Sequence, residues 1–309
     1  MDHQAIESRL RGAPSDLSAW DRYSEHLTAQ GDLRGRIIRL SQKRGFAPAG
    51  SERFAALSAE LDRLYAEATP QISGLPRDAK IDWKYGFAVG LQLRLTTAAV
   101  SALHDFLQTR DAVLFRSLRF LPTKNGLPEE EDEEEWSGEG EDVNTPPEPT
   151  LLAEAKALAA LDLRSLRVLA MPYCLIGAEG ATRLLSSSQM GPLLSLDLRY
   201  SYVGDACAQT LAESPQCAGL RSLWLQRCAI TAKGVQHLSK SPHLRELRLL
   251  DLRYNKIGSK GAVALANSPI VRELSQLHLY RDEIKKAGVL ALAKSSQLPL
   301  VLRRMWGQP

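Results

Sequence analysis

Residues 250–266 read LDLRYNKIGSKGAVALA, and residues 196–212 read LDLRYSYVGDACAQTLA. The two phrases start 54 residues apart, and half that step lands on Leu223, which opens LWLQRCAITAKGVQHLS. Steps of 27 outward reach Leu169 (LAMPYCLIGAEGATRLL) and Leu277 (LHLYRDEIKKAGVLALA). Five copies therefore keep one register without a gap, the signature of a repeat architecture. The columns are chemically uniform. Leu166, Leu193, Leu220, Leu247 and Leu274 form one; Leu169, Leu196, Leu223, Leu250 and Leu277 the next; Met171, Leu198, Leu225, Leu252 and Leu279 a third. A small or polar column follows (Cys174, Ser201, Cys228, Asn255, Asp282), then Ile176, Val203, Ile230, Ile257 and Ile284. Gly180, Cys207, Gly234, Gly261 and Gly288, and then Leu184, Leu211, Leu238, Leu265 and Leu292, complete the set.

Within LxLxL, alternate side chains point to opposite faces of a strand, so the leucines point inward and the residues between them outward. Strands are predicted at 193–198, 220–225, 247–252 and 274–279, in parallel register. The GAxxLA segment that follows has helical spacing. Ser-Pro at 214–215, 241–242 and 268–269 ends that helix, because proline cannot continue it. A single repeat cannot bury its own apolar edge, so neighbours must stack.

The pattern LxxLxLxx(N/C)x(I/V)GxxGAxxLA resembles the leucine-rich repeat of the ribonuclease-inhibitor-like class, over residues 163–292. The resemblance implies an α/β fold: a right-handed, curved solenoid with parallel β-strands on the concave side and helices on the convex side. Stepping back along the chain, FRSLRFL (115–121) and GFAVGLQLRL (86–95) read as earlier strands, with TTAAVSALHDFL helical between them. LPLVLRRMW at the other end reads as a final capping strand. One solenoid is expected over 86–305. The step from Phe115 to Leu166 is 51 residues, a repeat plus 24 extra.

The N-terminal part differs. PSDLSAWDRYSEHLTAQGDLRGRIIRLSQ places Leu17, Trp20, Tyr23 and Leu27 on one helical stripe, with Gly31 as a stop and a second helix from Asp32. Trp20, Tyr23, Leu27, Gly31, Asp32, Arg34, Gly35, Ile38 and Leu40 resemble the pattern of a small helical repeat-companion domain of large-genome bacteria, which often precedes leucine-rich repeats. Ser-Glu-His-Leu before the glycine departs from that family's usual Ala-Asp-Trp-Leu. WKYGF at 83–87 matches its usual entry into the first repeat. The Gly-Asp-x-Arg-Gly run reads as a structural turn. SERFAALSAELDRLYAEA is a further amphipathic helix, capped by Ser51 and striped with Phe54, Leu57, Leu61 and Leu64. The expected division is a helical companion domain at 1–45, a connecting helix and cap at 46–80, and the solenoid at 81–309.

The surplus residues lie in LPEEEDEEEWSGEGEDVNTPPEP, which begins at Leu127. Glu129 to Glu135 are seven consecutive acids, and Glu139, Glu141, Asp142 and Glu148 follow. Such a block repels itself and has little to bury, so 127–148 is expected to be a disordered insertion. The net charge of +3 hides a basic remainder: residues 151–309 hold 21 Lys and Arg against 11 Asp and Glu. Two readings stay open for the block: a solvated insertion without a role, or a competitor for the basic surface.

Four cysteines without a CxxC do not suggest a disulfide framework. Cys174, Cys207 and Cys228 fall in repeat columns; Cys217 falls in a loop, unexplained. The chain shows no apolar run of about 18 residues and no cleavable signal pattern, which points to the cytoplasm. No HExxH, GxSxG or GxxxxGK[ST] occurs, so no reaction, metal or cofactor is expected. The Ran GTPase-activating protein is similar in repeat class and in carrying an acidic stretch, but its catalytic residues find no position-by-position match.

The outward positions make the candidate site. One column reads Ala170, Asp197, Trp224, Asp251, His278; the next Pro172, Arg199, Gln226, Arg253, Tyr280; the strand exit Tyr173, Tyr200, Arg227, Tyr254, Arg281. Strands about 4.8 Å apart would join these into one surface rich in Trp, Tyr and Arg, the types that anchor protein interfaces. The expected function is a noncatalytic scaffold binding another protein with an acidic or mixed-charge surface. Asp197, Arg199, Tyr200, Trp224, Gln226, Arg227, Asp251, Arg253, Tyr254, His278 and Tyr280 would carry it. The alternatives are nucleic-acid binding through the basic solenoid or a GTPase-activating-protein-like regulator.

Overall fold

The computed structural model describes residues 3–68, 74–122 and 148–308. The acidic block from 127 to 147 lies outside the described residues. The chain forms two compact units, one of residues 1–91 and 102–117, the other of 92–101 and 118–309. Among the described residues, eight strands follow chain order in one sheet.

In the first unit, helices α1 (His3–Gly12), α2 (Leu17–Ala29), α3 (Leu33–Gly45) and α4 (Glu52–Ala68) precede strand β1 (Lys80–Lys84). Asp16 and Asp32 cap α2 and α3 by accepting the amides of Ala19 and Arg34. Gly31 takes a positive φ of 73° between them. Trp20, Tyr23 and Leu27 are buried with Ile6, Leu10, Ile38 and Phe87, whereas Leu17, expected on the same stripe, is exposed. It opens α2 beside its cap, a turn ahead of the packed face. On α4, Leu61 and Leu64 join Ile37 in a second cluster, while Phe54 and Leu57 are only half-buried. β1 and β2 (Phe87–Arg94) are joined by Tyr85 and Gly86, both at positive φ (53° and 82°), as a tight two-residue hairpin requires.

Helix α5 (Thr97–Leu107) and strand β3 (Ser117–Leu121) follow, then helix α6 (Leu152–Leu158). From there strand and helix alternate: β4 (Val168–Ala170), α7 (Gly177–Leu185), β5 (Ser195–Asp197), α8 (Gly204–Glu213), β6 (Ser222–Trp224), α9 (Ala232–Ser239), β7 (Leu249–Asp251), α10 (Gly258–Ala266), β8 (Gln276–His278) and α11 (Arg281–Ala293). β4 to β8 are parallel, and Leu169, Leu196, Leu223, Leu250 and Leu277 pair in one row. The strands are three residues long, shorter than the six expected. The inter-repeat bonds nevertheless continue: Leu198 N–H donates to Trp224 O and Tyr200 N–H to Gln226 O, at 3.0 and 2.9 Å. The backbone then turns through positive φ at Tyr173, Tyr200, Arg227 and Tyr254 (50–59°), which ends each strand.

Two side-chain ladders tie repeat to repeat. In the small-residue column, Ser201 Oγ, Cys228 Sγ and Asn255 Nδ2 donate to Met171 O, Leu198 O and Leu225 O, each 30 residues back. Asn255 Oδ1 also accepts the amides of Cys228 and Ile230. The second ladder went unread in the sequence. Ser187, Ser214, Ser241, Ser268 and Ser295 keep the 27-residue step, and each hydroxyl donates to a carbonyl at the end of the preceding helix, at 2.5–3.1 Å. At 214, 241 and 268 a proline follows the serine and ends its own helix, while the serine satisfies a terminal carbonyl of the helix one repeat earlier.

Gly288 shows why its column is small: a Cβ there would lie 2.8 Å from that of Ala262 on the preceding helix. Cys207 and Cys217 are fully buried, and Cys217 sits in a short 3-10 turn (Pro215–Cys217), not in an open loop. The expected capping strand is instead helix α12 (Leu300–Gly307). Leu302 and Trp306 are buried while Arg304 between them is exposed, so the buried face recurs after four residues and not after two, as a helix requires and a strand does not.

Candidate functional site

The outer face of β4–β8 is built by register. Asp197 on β5, Trp224 on β6 and Asp251 on β7 are direct neighbours in one row, and Trp224 lies on the central strand of the five. Its side chain is half-buried. The expectation that this row and the next face solvent requires correction. Ala170, Pro172, Asp197, Asp251 and Gln226 are buried, His278 and Arg199 are half-buried, and Tyr254 and Tyr280 are exposed.

The buried acids are explained by their own chain. Asp197 Oδ1 accepts both the amide and Nε of Arg199, and Oδ2 accepts Nη2, at 2.8–3.1 Å. Asp251 and Arg253 repeat the arrangement at 2.6–3.3 Å. A carboxylate out of water must find charged partners, and here the guanidinium two residues on supplies them. The Asp side chains are 6% and 2% exposed, the Arg side chains 36% and 34%. The hydrogen bond to Asp197 raises the pKa of Arg199, and that to Asp251 does the same for Arg253. The surface thus presents guanidinium over hidden carboxylate. The spacing Asp-Leu-Arg that makes these forks was present in the sequence and unread; it recurs at 32–34 and 162–164.

The strand-exit residues form a stair. Tyr173 and Tyr200 stack with centroids 4.3 Å apart, and the Arg227 guanidinium lies 5.7 Å over the Tyr200 ring. Gln226 Nε2 donates to the Tyr200 hydroxyl, and burial pushes that phenol up to about 12. Tyr254 and Tyr280 meet edge-on at 4.8 Å, and the Tyr280 hydroxyl donates to that of Tyr254. Arg281, next along, belongs to α11; it lies 5.7 Å over the Trp306 ring and donates to carbonyls near the end of α12.

A cavity of about 970 Å³ lies at the β8 end, lined among others by Arg253, His278, Tyr280, Glu283, Met305 and Trp306. Glu283 has one oxygen buried without a partner among the described residues, and burial pushes its pKa up to about 7. The thiols offer no nucleophile: burial raises Cys174 and Cys228 to about 12 and Cys217 to about 11. No cluster of His, Cys, Asp and Glu suited to a metal occurs among the described residues. None of their helices is long and apolar enough to cross a membrane.

A family model described as Leucine Rich repeat matches residues 240–266, one full period of the chain. With five strand–helix units in register, it supports a leucine-rich-repeat protein, a class associated in general with protein interaction. No curated protein matches the chain.

Proposed function

We propose that this chain is a noncatalytic scaffold that binds another protein on the concave strand face of its leucine-rich repeats. The observation that carries this reading is Trp224, an aromatic on the central strand between two Asp–Arg forks on the adjacent strands. Large aromatics and arginines are the residues that dominate protein interfaces, and charge around an anchor fixes orientation more than it adds affinity. Asp197, Arg199, Tyr200, Gln226, Arg227, Asp251, Arg253, Tyr254, His278 and Tyr280 complete the proposed surface. The partner presents acidic or mixed charge to it. We also propose that the N-terminal helices are a bacterial repeat-companion domain and that the protein works in the cytoplasm.

Trp224→Ala tests the reading. Truncation is expected to cost about 2 kcal/mol or more in partner binding while the circular-dichroism melt keeps its cooperative transition. Lys233→Ala, on α9, is expected to leave binding unchanged. A partner recovered from native extract that ignores Trp224 and depends on Lys233 would place the working surface on the helical side.

A further inference from the structure

The two forks share a geometry that selects what can sit on them. Each guanidinium engages its carboxylate side-on, through Nε and Nη2. The planar group carries five hydrogens, so the edge formed by Nη1 and Nη2 points away from the carboxylate with parallel donors for a second oxyanion. Arg253 lines one cavity with Tyr280, whose hydroxyl competes for its free edge, which leaves Arg199 the stronger seat. The two arginines follow β5 and β7, two strand spacings apart, or about 10 Å. Trp224 stands on the strand between.

An extended polypeptide matches that spacing in one conformation. A polyproline-II helix repeats every three residues and rises about 3.1 Å per residue, so every third side chain lies on one face at about 9 Å. Single-stranded nucleic acid fits less well, because it needs open aromatic faces for its bases. Tyr200 has Tyr173 stacked on the β4 side and Arg227 lying over it from the β6 side, and Tyr254 is held edge-on by Tyr280. Tyr200 and Tyr254 are thus engaged by their neighbours, and the single Trp224 is no platform for successive bases. Charge agrees with an acidic ligand, since residues 151–309 hold 21 Lys and Arg against 11 Asp and Glu.

We propose, resting on the protein-binding reading above, that the strand face takes an acidic peptide in polyproline-II conformation. Carboxylates three residues apart seat on Arg199 and Arg253, and an intervening apolar side chain, turned about 120° off that face, leans sideways toward the Trp224 row. The peptide crosses the strands instead of extending the sheet.

The probe is a fluorescein-labelled peptide of repeated Pro-Leu-Glu, titrated with the full chain and read by anisotropy. Saturable binding is expected, abolished in a Pro-Leu-Gln peptide. Arg199→Lys keeps the charge and a partner for Asp197 but loses the planar fork, and should weaken binding by on the order of tenfold. Arg253→Lys should weaken it less, and Arg183→Lys on α7 not at all. Each variant is checked by its melting transition, and Trp224→Ala, which leaves both forks intact, should weaken the peptide independently. Equal binding of the glutamine peptide, or wild-type affinity in Arg199→Lys, overturns the proposal. So does displacement of the peptide by oligothymidylate through the same two arginines. If the peptide fails while a natural partner still depends on Trp224, only this inference falls; if neither binds, the protein-binding reading falls with it.

Discussion

The tripeptide Asp-Leu-Arg occurs both in the first compact unit and in the repeats, and it does different work in each. At 32–34 and at 251–253 the local chemistry is the same: Asp Oδ1 takes the amide and Nε of the arginine two residues on, and Oδ2 takes Nη2. In the first unit the fork is sunk into packing. Arg34 is 9% exposed, reaches a second acid, Asp111, at 3.0 Å, and lies 4.4 Å over the Phe87 ring. Asp32 is also the cap of α3. All three nitrogens of the guanidinium are engaged and a ring covers one face, so the fork is a structural post. In the repeats, Arg253 has no second acid within ion-pair distance among the described residues and keeps a third of its side chain in water. The fork at 162–164 is the limiting case, with Arg164 66% exposed. The difference lies in what surrounds the motif, and it decides whether the arginine is locked into packing or left at the surface.

Mutation of the arginines should rank these settings. Arg34→Ala strips both Asp32 and Asp111 of their cation inside packed surroundings and is expected to cost about 3 kcal/mol, read by chemical denaturation. A loss no larger than that of Arg164→Ala would erase the distinction. Arg253→Ala leaves Asp251 buried with only its amide donor, and about 1–2 kcal/mol is expected.

Glu283 sharpens the contrast, because it is a partly buried carboxyl with no fork. Burial is the main cause of its rise from 4.5 to about 7, Asp251 adds to it, and the amides of Tyr254, Tyr280 and Asn255 work against it. The folded value lies above the unfolded one, so its contribution to stability is full below about pH 4.5 and is lost as pH rises through 7. The melting temperature should therefore fall between pH 5 and 8, and Glu283→Gln should flatten that part of the profile. An unchanged profile would mean that water satisfies the buried oxygen. Arg164→Ala is expected to do least, leaving the denaturation midpoint unchanged, since an exposed ion pair adds little.

The repeats were legible because their constraint is local and periodic. A strand that alternates and a helix that follows it need the same residue types at the same offsets, so the leucine columns, the 27-residue step and the parallel pairing of Leu196 with Leu223 follow from spacing alone. The serine ladder was equally periodic, but Ser-Pro already had one sufficient explanation and the carbonyl it satisfies lies 29 residues away for Ser241. LPLVLRRMW failed as a strand because a short apolar run fits either period, and only the packing of Leu302 and Trp306 against the last repeat selects the helix. The candidate face was legible as positions and not as exposure. Alternation placed Asp197 and Asp251 on the outer side of the sheet, yet both are buried, because the arginine two residues on folds back over each carboxylate and takes its place at the surface. Periodicity fixes which way a side chain leaves the backbone; what then covers it depends on long side chains converging in space, and that was decided only by the tertiary structure.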